Sequence, residues 1–155
     1  RFLFALAPLT LLFGANNFAH LLPPGRWLVW DKKRPEGDTD WSDCELAWCS
    51  KPGVAVKKYA VTWHGMVREG ESDPRVHPTQ KPLLLMRRLL EDFTAEGDVV
   101  LDPYAGSGST LLAAAATGRV ARCIELDPRY VDVIRRRWTT YAKANGQDPG
   151  PGALD

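Results

Sequence analysis

Cysteine is scarce, with three in 155 residues: Cys44, Cys49 and Cys123. An odd, sparse set in a chain of this length does not resemble a secreted disulfide scaffold and points to a reducing compartment. A zinc site is disfavoured as well. Cys44 and Cys49 have four residues between them, and His64 and His77 stand thirteen positions apart, neither of which is a finger spacing. Net charge is nearly absent: 20 Lys and Arg against 19 Asp and Glu leave +1, which excludes a strongly basic nucleic-acid coat but permits a local basic face. No hydrophobic run is long enough to span a bilayer. The most apolar stretch, Arg1 to Phe13, imitates the start of a signal peptide, yet Pro8 interrupts it and it flows straight into globular-looking sequence, so it reads as buried helix and strand. The 13 Gly and 12 Pro follow no G-X-Y period, no low-complexity tract stands out, and no internal repeat is evident. An initiator Met is also absent, and the chain is expected to begin inside a longer protein.

What is present suits one globular domain. With 45% hydrophobic residues, a chain of this size buries roughly 70% of its unfolded surface. Leu9 to Phe13 reads as a buried strand, Asn16 to Leu22 as a short helix closed by Pro23, Pro24 and Gly25, and Arg26 to Asp31 (RWLVWD) as a second strand. Lys32 to Asp43 reads as a long loop. Glu45 to Cys49 and Val56 to Trp63 follow as strands around a Lys51-Pro52-Gly53 turn, and His64 to Val76, polar and without period, as a mobile loop.

The remainder is more regular. Pro82 takes a first helical position, and Met86, Leu89, Leu90 and Phe93 recur at helical spacing up to Gly97. Val99 to Leu101 is a short buried strand, Asp102 to Ser109 a Gly-rich turn, Thr110 to Thr117 an Ala-rich helix and Val120 to Leu126 another strand. Asp127 caps a last helix with Pro128 at its first position and Val131, Ile134 and Trp138 as its buried stripe. Strand, Gly turn, helix, strand, helix predicts an α/β fold with a parallel sheet and right-handed crossovers. Beyond Asn145 a Gly-Pro tail is expected.

The chemistry concentrates in DPYAGSGST, Asp102 to Thr110. Glycines between a strand and a helix let backbone approach a ligand that side chains would block. Glu125, 19 residues beyond Gly106 at the end of the next strand, can accept hydrogen bonds from ribose hydroxyls. A dinucleotide site wants a third glycine where Leu111 stands, and a phosphate loop wants a Lys after Gly108, where Ser109 stands. Asp102 suits a cationic amino group better than a pyrophosphate. An uncharged nucleoside bearing an amino acid, such as S-adenosyl-L-methionine, fits best.

HPTQKP (His77 to Pro82), then DPYAGSGST, then IELDPRYVDVIRRRW (Ile124 to Trp138) closely resembles the amino-methylating DNA methyltransferases of the beta group, in which the cofactor half follows the catalytic half. Compact prophage-type adenine methylases are similar. The resemblance covers Arg26 to Trp138 and is strongest from His77 onward. It implies a Rossmann-like S-adenosylmethionine-dependent methyltransferase fold: three-layer α/β/α with a mostly parallel sheet. The implied organisation is a single domain over residues 1–144, with a partial catalytic half at 1–63, a target-recognition loop at 64–76, a cofactor half at 77–144 and a flexible tail at 145–155. It implies that Asp102 and the turn Tyr104, Ala105, Gly106, Ser107 and Gly108 face the methionine part of the cofactor and Glu125 the ribose. Thr79, Gln80 and Lys81 would hold the carboxylate end at a helix start, where anions are favoured.

The family positions the target amine with an (Asp/Asn/Ser)-Pro-Pro-(Tyr/Phe) loop, and no such string occurs. The only Pro-Pro pair, Pro23-Pro24, lies between Leu22 and Gly25. The loop is expected upstream of Arg1, and no residue is assigned as catalytic. Methylation at cytosine carbon 5 would need a Cys after Pro, whereas Cys44, Cys49 and Cys123 follow Asp43, Trp48 and Arg122. The implied reaction is direct transfer to the amine of a flipped base, with adenine N6 favoured over cytosine N4. The implied substrate is double-stranded DNA, met in the cytoplasm of a bacterium or from a phage gene, with no membrane partner. A homodimer and a restriction endonuclease partner are compatible with it. Lys32, Lys33, Arg34, Lys57, Lys58, Arg68 and Arg75 are candidate phosphate contacts, Trp41 and Trp63 candidate stacking platforms, and Arg135 to Arg137 the wet side of the last helix. Two other classes compete: a catalytically silent DNA- or cofactor-binding module, and a nucleotide-dependent oxidoreductase.

Overall fold

The structure, a computed structural model, describes residues 6–34, 42–64, 67–71 and 75–154. The first five residues of the expected apolar run, the centre of the Lys32 to Asp43 loop with Trp41, and parts of the His64 to Val76 loop lie outside the described residues. The chain divides into two compact units, residues 1–69 and 70–155, with the boundary inside the segment expected as a recognition loop.

The first unit is built on a four-stranded sheet in the order β1-β3-β2-β4, formed by β1 (Leu11–Phe13), β2 (Arg26–Asp31), β3 (Cys44–Cys49) and β4 (Lys57–Ala60). β3 runs antiparallel to both β1 and β2, while β4 joins β2 in parallel, with Trp30 opposite Tyr59. The alternation in RWLVWD sends Leu28 and Trp30 to one face, each 2% exposed. Trp30 Nε1 donates to the Val61 carbonyl at 3.0 Å, satisfying the one polar atom its burial would otherwise strand. Ala15–Leu21 forms a 3-10 helix kinked at Phe18 rather than one regular turn of helix.

Three expectations fail in this unit. Val56 to Trp63 is not one strand. The chain leaves β4 at Ala60, and Trp63–His64 (β5) pairs antiparallel with Val67–Arg68 (β6), placing paired strands at the start of the segment expected as a mobile loop. Trp63 is only 8% exposed, so it is no platform for stacking a base.

The second unit holds α1 (Leu83–Phe93), β7 (Val99–Asp102), α2 (Ser109–Ala116), β8 (Val120–Cys123) and α3 (Pro128–Ala144). β7 and β8 are parallel, Val99 opposite Val120 and Asp102 opposite Cys123, as the crossover reading requires. Leu90 of α1 and Ala113 and Ala114 of α2 form a core into which Val100 and Ala121 pack from the two strands. The strands are not buried throughout, as expected, but alternate. Val99 and Leu101 on β7 and Val120 on β8 turn to the opposite, exposed face. β8 also stops at Cys123, leaving Ile124 59% and Leu126 96% exposed.

α3 starts as the sequence predicts: Asp127 accepts from the Arg129 N–H at 2.9 Å and Pro128 occupies the first turn. Val131, Ile134 and Trp138 are half-buried. The segment beyond Asn145 lies along this helix. Trp138 Nε1 donates to the Pro149 carbonyl, Arg135 Nε to the Gly152 carbonyl, and the Leu154 N–H to Thr139 Oγ1. The α/β class holds: among the described residues pairing is parallel in β7–β8 and β2–β4 and antiparallel in β1–β3, β2–β3 and β5–β6.

Candidate functional site

All ten residues singled out for a cofactor fall in the second unit. β7 delivers Asp102 to the carboxyl end of the parallel pair, and the chain then turns sharply through Gly106 (φ +54°) and Gly108 (φ +77°) before α2 begins at Ser109. Both are left-handed conformations that L side chains resist, which is why glycine stands there. The turn is also crowded. A Cβ on Gly106 would lie 3.4 Å from the His77 ring, and one on Gly108 would lie 3.1 Å from Ile134 Cγ1 and Cγ2.

The two carboxylates hold this turn together. Asp102 Oδ1 accepts from the Tyr104 N–H at 3.0 Å and Oδ2 from the Thr110 hydroxyl at 2.5 Å. Glu125 Oε2 accepts from the Gly106 N–H at 2.7 Å, and Oε1 from the Asp127 N–H at 2.9 Å. The Asp127 amide above all, helped by the Gly106 and Leu126 amides and the neighbouring charge of His77, holds the Glu125 carboxyl below its ordinary range against a partial burial that would raise it. Glu125 is thus ionised and anchored. A carboxylate has about four acceptor directions, so with these backbone donors in place Glu125 retains acceptor capacity for a ligand hydroxyl. Within the turn Tyr104 is 80% exposed, while Ala105 and Ser107 are buried.

The HPTQKP residues diverge in role. Thr79 is exposed, and its amide and hydroxyl both meet His77 Nδ1 at 3.2 Å. Gln80 is 5% exposed. Its carbonyl oxygen accepts from the Val76 N–H and its amide donates to Glu71, so its side chain is turned into the protein rather than toward a ligand. Lys81 is half-buried, and its ammonium donates to the Thr79 carbonyl at 3.2 Å.

Four residues not singled out belong to the same place. The His77 ring lies against that of Tyr130, centroids 4.2 Å apart and tilted by 59°, and covers Gly106. Ser109 donates to the Lys81 carbonyl at 2.7 Å, and Glu71 and Arg137 pair at 3.4 Å. Arg137 is accordingly not on the wet side of α3. His77, Ser109 and Arg137 each lie within a quoted motif, whereas Glu71 carried no sequence signal.

Most of the basic residues noted as phosphate contacts have acidic partners. Lys32 pairs with Glu45 at 3.1 Å, Lys33 with Glu69 at 4.0 Å, Arg34 with Asp43 at 3.9 Å and Lys58 with Asp31 at 3.1 Å. Cys44 is exposed and Cys49 buried, as an odd offset along one strand dictates. Among the described residues, no helix is long and apolar enough to cross a membrane.

A family profile described as DNA methylase, of the N6 and N4 type, matches residues 27–136. The chain is 31% identical over 119 residues to the type II methyltransferase M2.DpnII of Streptococcus pneumoniae, covering 76% of this chain and 43% of that one. It is 42% identical over 76 residues to the putative methylase YubD of Escherichia coli K12, covering 49% and 34%. The chain therefore spans less than half the length of these curated relatives. Among solved structures, that of M1.HpyAVI with S-adenosylmethionine aligns with a TM-score of 0.53 at 27% identity, over 72% of this chain and 60% of that one. A putative DNA modification methylase from Thermus thermophilus, complexed with S-adenosyl-L-methionine, aligns with a TM-score of 0.50 at 31% identity, over 74% and 52%.

Proposed function

This chain belongs to the DNA methylase family, and on that premise we propose that it binds S-adenosyl-L-methionine at the Gly106–Gly108 turn and serves site-specific methylation of an exocyclic amine in double-stranded DNA, with adenine N6 as the favoured target. The observation that carries the reading is the Glu125 carboxylate closing on the Gly106 amide across a turn that side chains would obstruct. The donor set fits an amino-acid-bearing nucleoside: an ionised Glu125 for ribose hydroxyls, Asp102 and the turn backbone for the amino-acid end, and the exposed Ile124 and Leu126 as apolar surface beside the acid. Thr79 and Lys81 support the carboxylate end, and Gln80 acts through the segment that carries them.

When bound, the cofactor supplies a methyl group activated by its sulfonium, which a base amine can take directly. The residues of this chain bind and orient it, a contribution made by fixing two reactants in one geometry. The 155 residues contain no Asp/Asn/Ser-Pro-Pro-Tyr/Phe string, so none of them is assigned to position the amine or accept its proton. The same observation favours a second reading, a cofactor- or DNA-binding module without turnover. The cytoplasm as working compartment, a homodimer and an endonuclease partner belong to the first reading.

Calorimetry with S-adenosylhomocysteine and with NAD tests the site, and mass spectrometry of DNA incubated with the chain and S-adenosylmethionine tests the reaction. Binding of the homocysteine compound with formation of N6-methyladenine supports the first reading. Binding without any methylated base supports the second. Tight NAD binding with no response to S-adenosylhomocysteine overturns both in favour of an oxidoreductase.

A further inference from the structure

Glu71 and Arg137 are 66 positions apart and form an ion pair at 3.4 Å with side chains only 9% and 18% exposed. Burying such a pair stabilises a fold weakly at best, since desolvation offsets the attraction, so its use lies in what it holds in place. Arg137 Nη1 donates to the Ser107 carbonyl at 2.6 Å, in the middle of the glycine turn. Glu71 Oε2 accepts from Gln80 Nε2 at 3.2 Å, and Oε1 from the Leu83 N–H at 2.5 Å. Gln80 in turn accepts from the Val76 N–H. Pro82, at the N-cap position of α1, offers no side-chain cap, and Glu71 supplies the missing acceptor from twelve residues upstream. On the other side, the Ser109 hydroxyl ties the first turn of α2 to the Lys81 carbonyl and meets Ser107 Oγ at 3.2 Å. Residues 76–83 and residues 106–109 are thereby fastened to one another at both ends.

We infer that Glu71 and Arg137 are positioning residues for the cofactor: the forked guanidinium sets the Ser107 peptide while the carboxylate sets Gln80 and the start of α1, so that the turn and the HPTQKP segment present their ligand-facing groups in a fixed relation. This rests on the cofactor reading given above. Neither side chain is assigned a contact with the ligand. Arginine is required because its planar fork reaches a carbonyl and a carboxylate together, which a lysine ammonium on a flexible stem does not reproduce.

The test uses the whole chain with Arg137→Lys, Arg137→Met and Glu71→Gln. S-adenosylhomocysteine affinity is measured by calorimetry, folding by thermal melting, and the Gly106 and Gly108 amide resonances by NMR without ligand. Arg137→Met and Glu71→Gln are expected to bind about tenfold more weakly, Arg137→Lys to recover part of that loss, the double variant to be little worse than either single one, and both glycine amides to shift. Variants that melt lower but bind with wild-type affinity overturn the inference, because a purely structural pair would behave so. If a single variant does not fold, Arg137→Lys decides the matter by the same two readouts, binding and glycine shifts. A wild-type chain that binds no S-adenosylhomocysteine overturns the cofactor reading itself and this inference with it, whereas wild-type binding with unaffected variants overturns only the inference.

Discussion

Gly108→Ala isolates the geometry on which the site depends. At φ +77° an alanine must adopt the left-handed region, which costs about 1–2 kcal/mol. Its methyl would also lie 3.1 Å from Ile134 Cγ1 and Cγ2, inside the roughly 3.5–4.0 Å at which carbon atoms rest, and such overpacking costs about 1–3 kcal/mol. The neighbour cannot easily withdraw, because Ile134 sits within α3 and Gly108 is the residue from which α2 departs. The expected loss is about 2–5 kcal/mol, which for a chain of this size lowers the melting temperature by roughly 5–15 °C. Gly106→Ala provides the control. It has the same sign of φ but a 3.4 Å contact with the His77 ring, so it should lose only the conformational part, about 1–2 kcal/mol. Adding Ile134→Ala to Gly108→Ala should return the steric part, giving a favourable coupling in a double-mutant cycle. Differential scanning calorimetry reads all five proteins, the single Ile134→Ala included. A Gly108→Ala protein that melts within about 2 °C of wild type, or that shows no coupling to Ile134→Ala, refutes the reasoning.

Glu125→Gln should weaken S-adenosylhomocysteine binding by about 1–3 kcal/mol, because an amide cannot accept from the Gly106 and Asp127 N–H groups and from a ribose at once. The Glu125 carboxyl is held below its ordinary value of 4.5 in the folded chain, so its stabilising contribution is fully present above that value and is lost as pH falls through the lowered one. Affinity of the wild type should accordingly decline in acid while that of Glu125→Gln stays flat, and parallel profiles would count against the assignment. Burial, reinforced by the charge of Asp102, pushes the Cys123 thiol up to about 11. A maleimide at pH 8 should therefore label the exposed Cys44 well before Cys123, which mass spectrometry of the peptides can establish. Leu89→Ala, at a site 1% exposed in α1, should cost about 2–5 kcal/mol in a denaturant titration, and a loss under about 1 kcal/mol would misplace it.

Where the determinants are local, the sequence reads well. RWLVWD marks β2 to the residue, since alternating Leu28 and Trp30 must share a face, and Asp127-Pro128 marks the start of α3, since one residue caps and the next presets φ. The α1 helix is legible from its apolar spacing. The antiparallel insertion of β3 between β1 and β2 was not legible, because it depends on a long connection whose path no local preference specifies. The split of the expected strand at Val56 to Trp63 has a similar cause. Val61 and Trp63 donate to the carbonyls of Asp31, the last residue of β2, and of Lys32 just after it, and these long-range bonds bend the chain where its composition favoured continuing. Likewise the Gly-Pro composition beyond Asn145 says nothing of carbonyls that α3 can capture, such as those of Pro149 and Gly152.

The candidate site divides along the same line, and the division bears on how its motif works. Gly106, Gly108, Asp102 and Glu125 were legible because a turn of this kind needs glycine and a nucleoside site needs an acid. In the folded chain, however, Asp102 holds Tyr104 and Thr110, and Glu125 holds Gly106 and Asp127, before any ligand is considered. The acids build the turn they were expected to serve. A substitution at either therefore acts twice under the proposed function, on the shape of the turn and on the proposed ligand contact, and affinity alone cannot apportion the two. The pH profile can, because protonating Glu125 removes its charge while leaving its volume in place, and the Gly106 amide reports on the turn alone. A Gly106 resonance that shifts in acid without ligand would mean that the carboxylate organises the turn, whereas one that stays fixed while affinity falls would mean that it acts on the ligand directly.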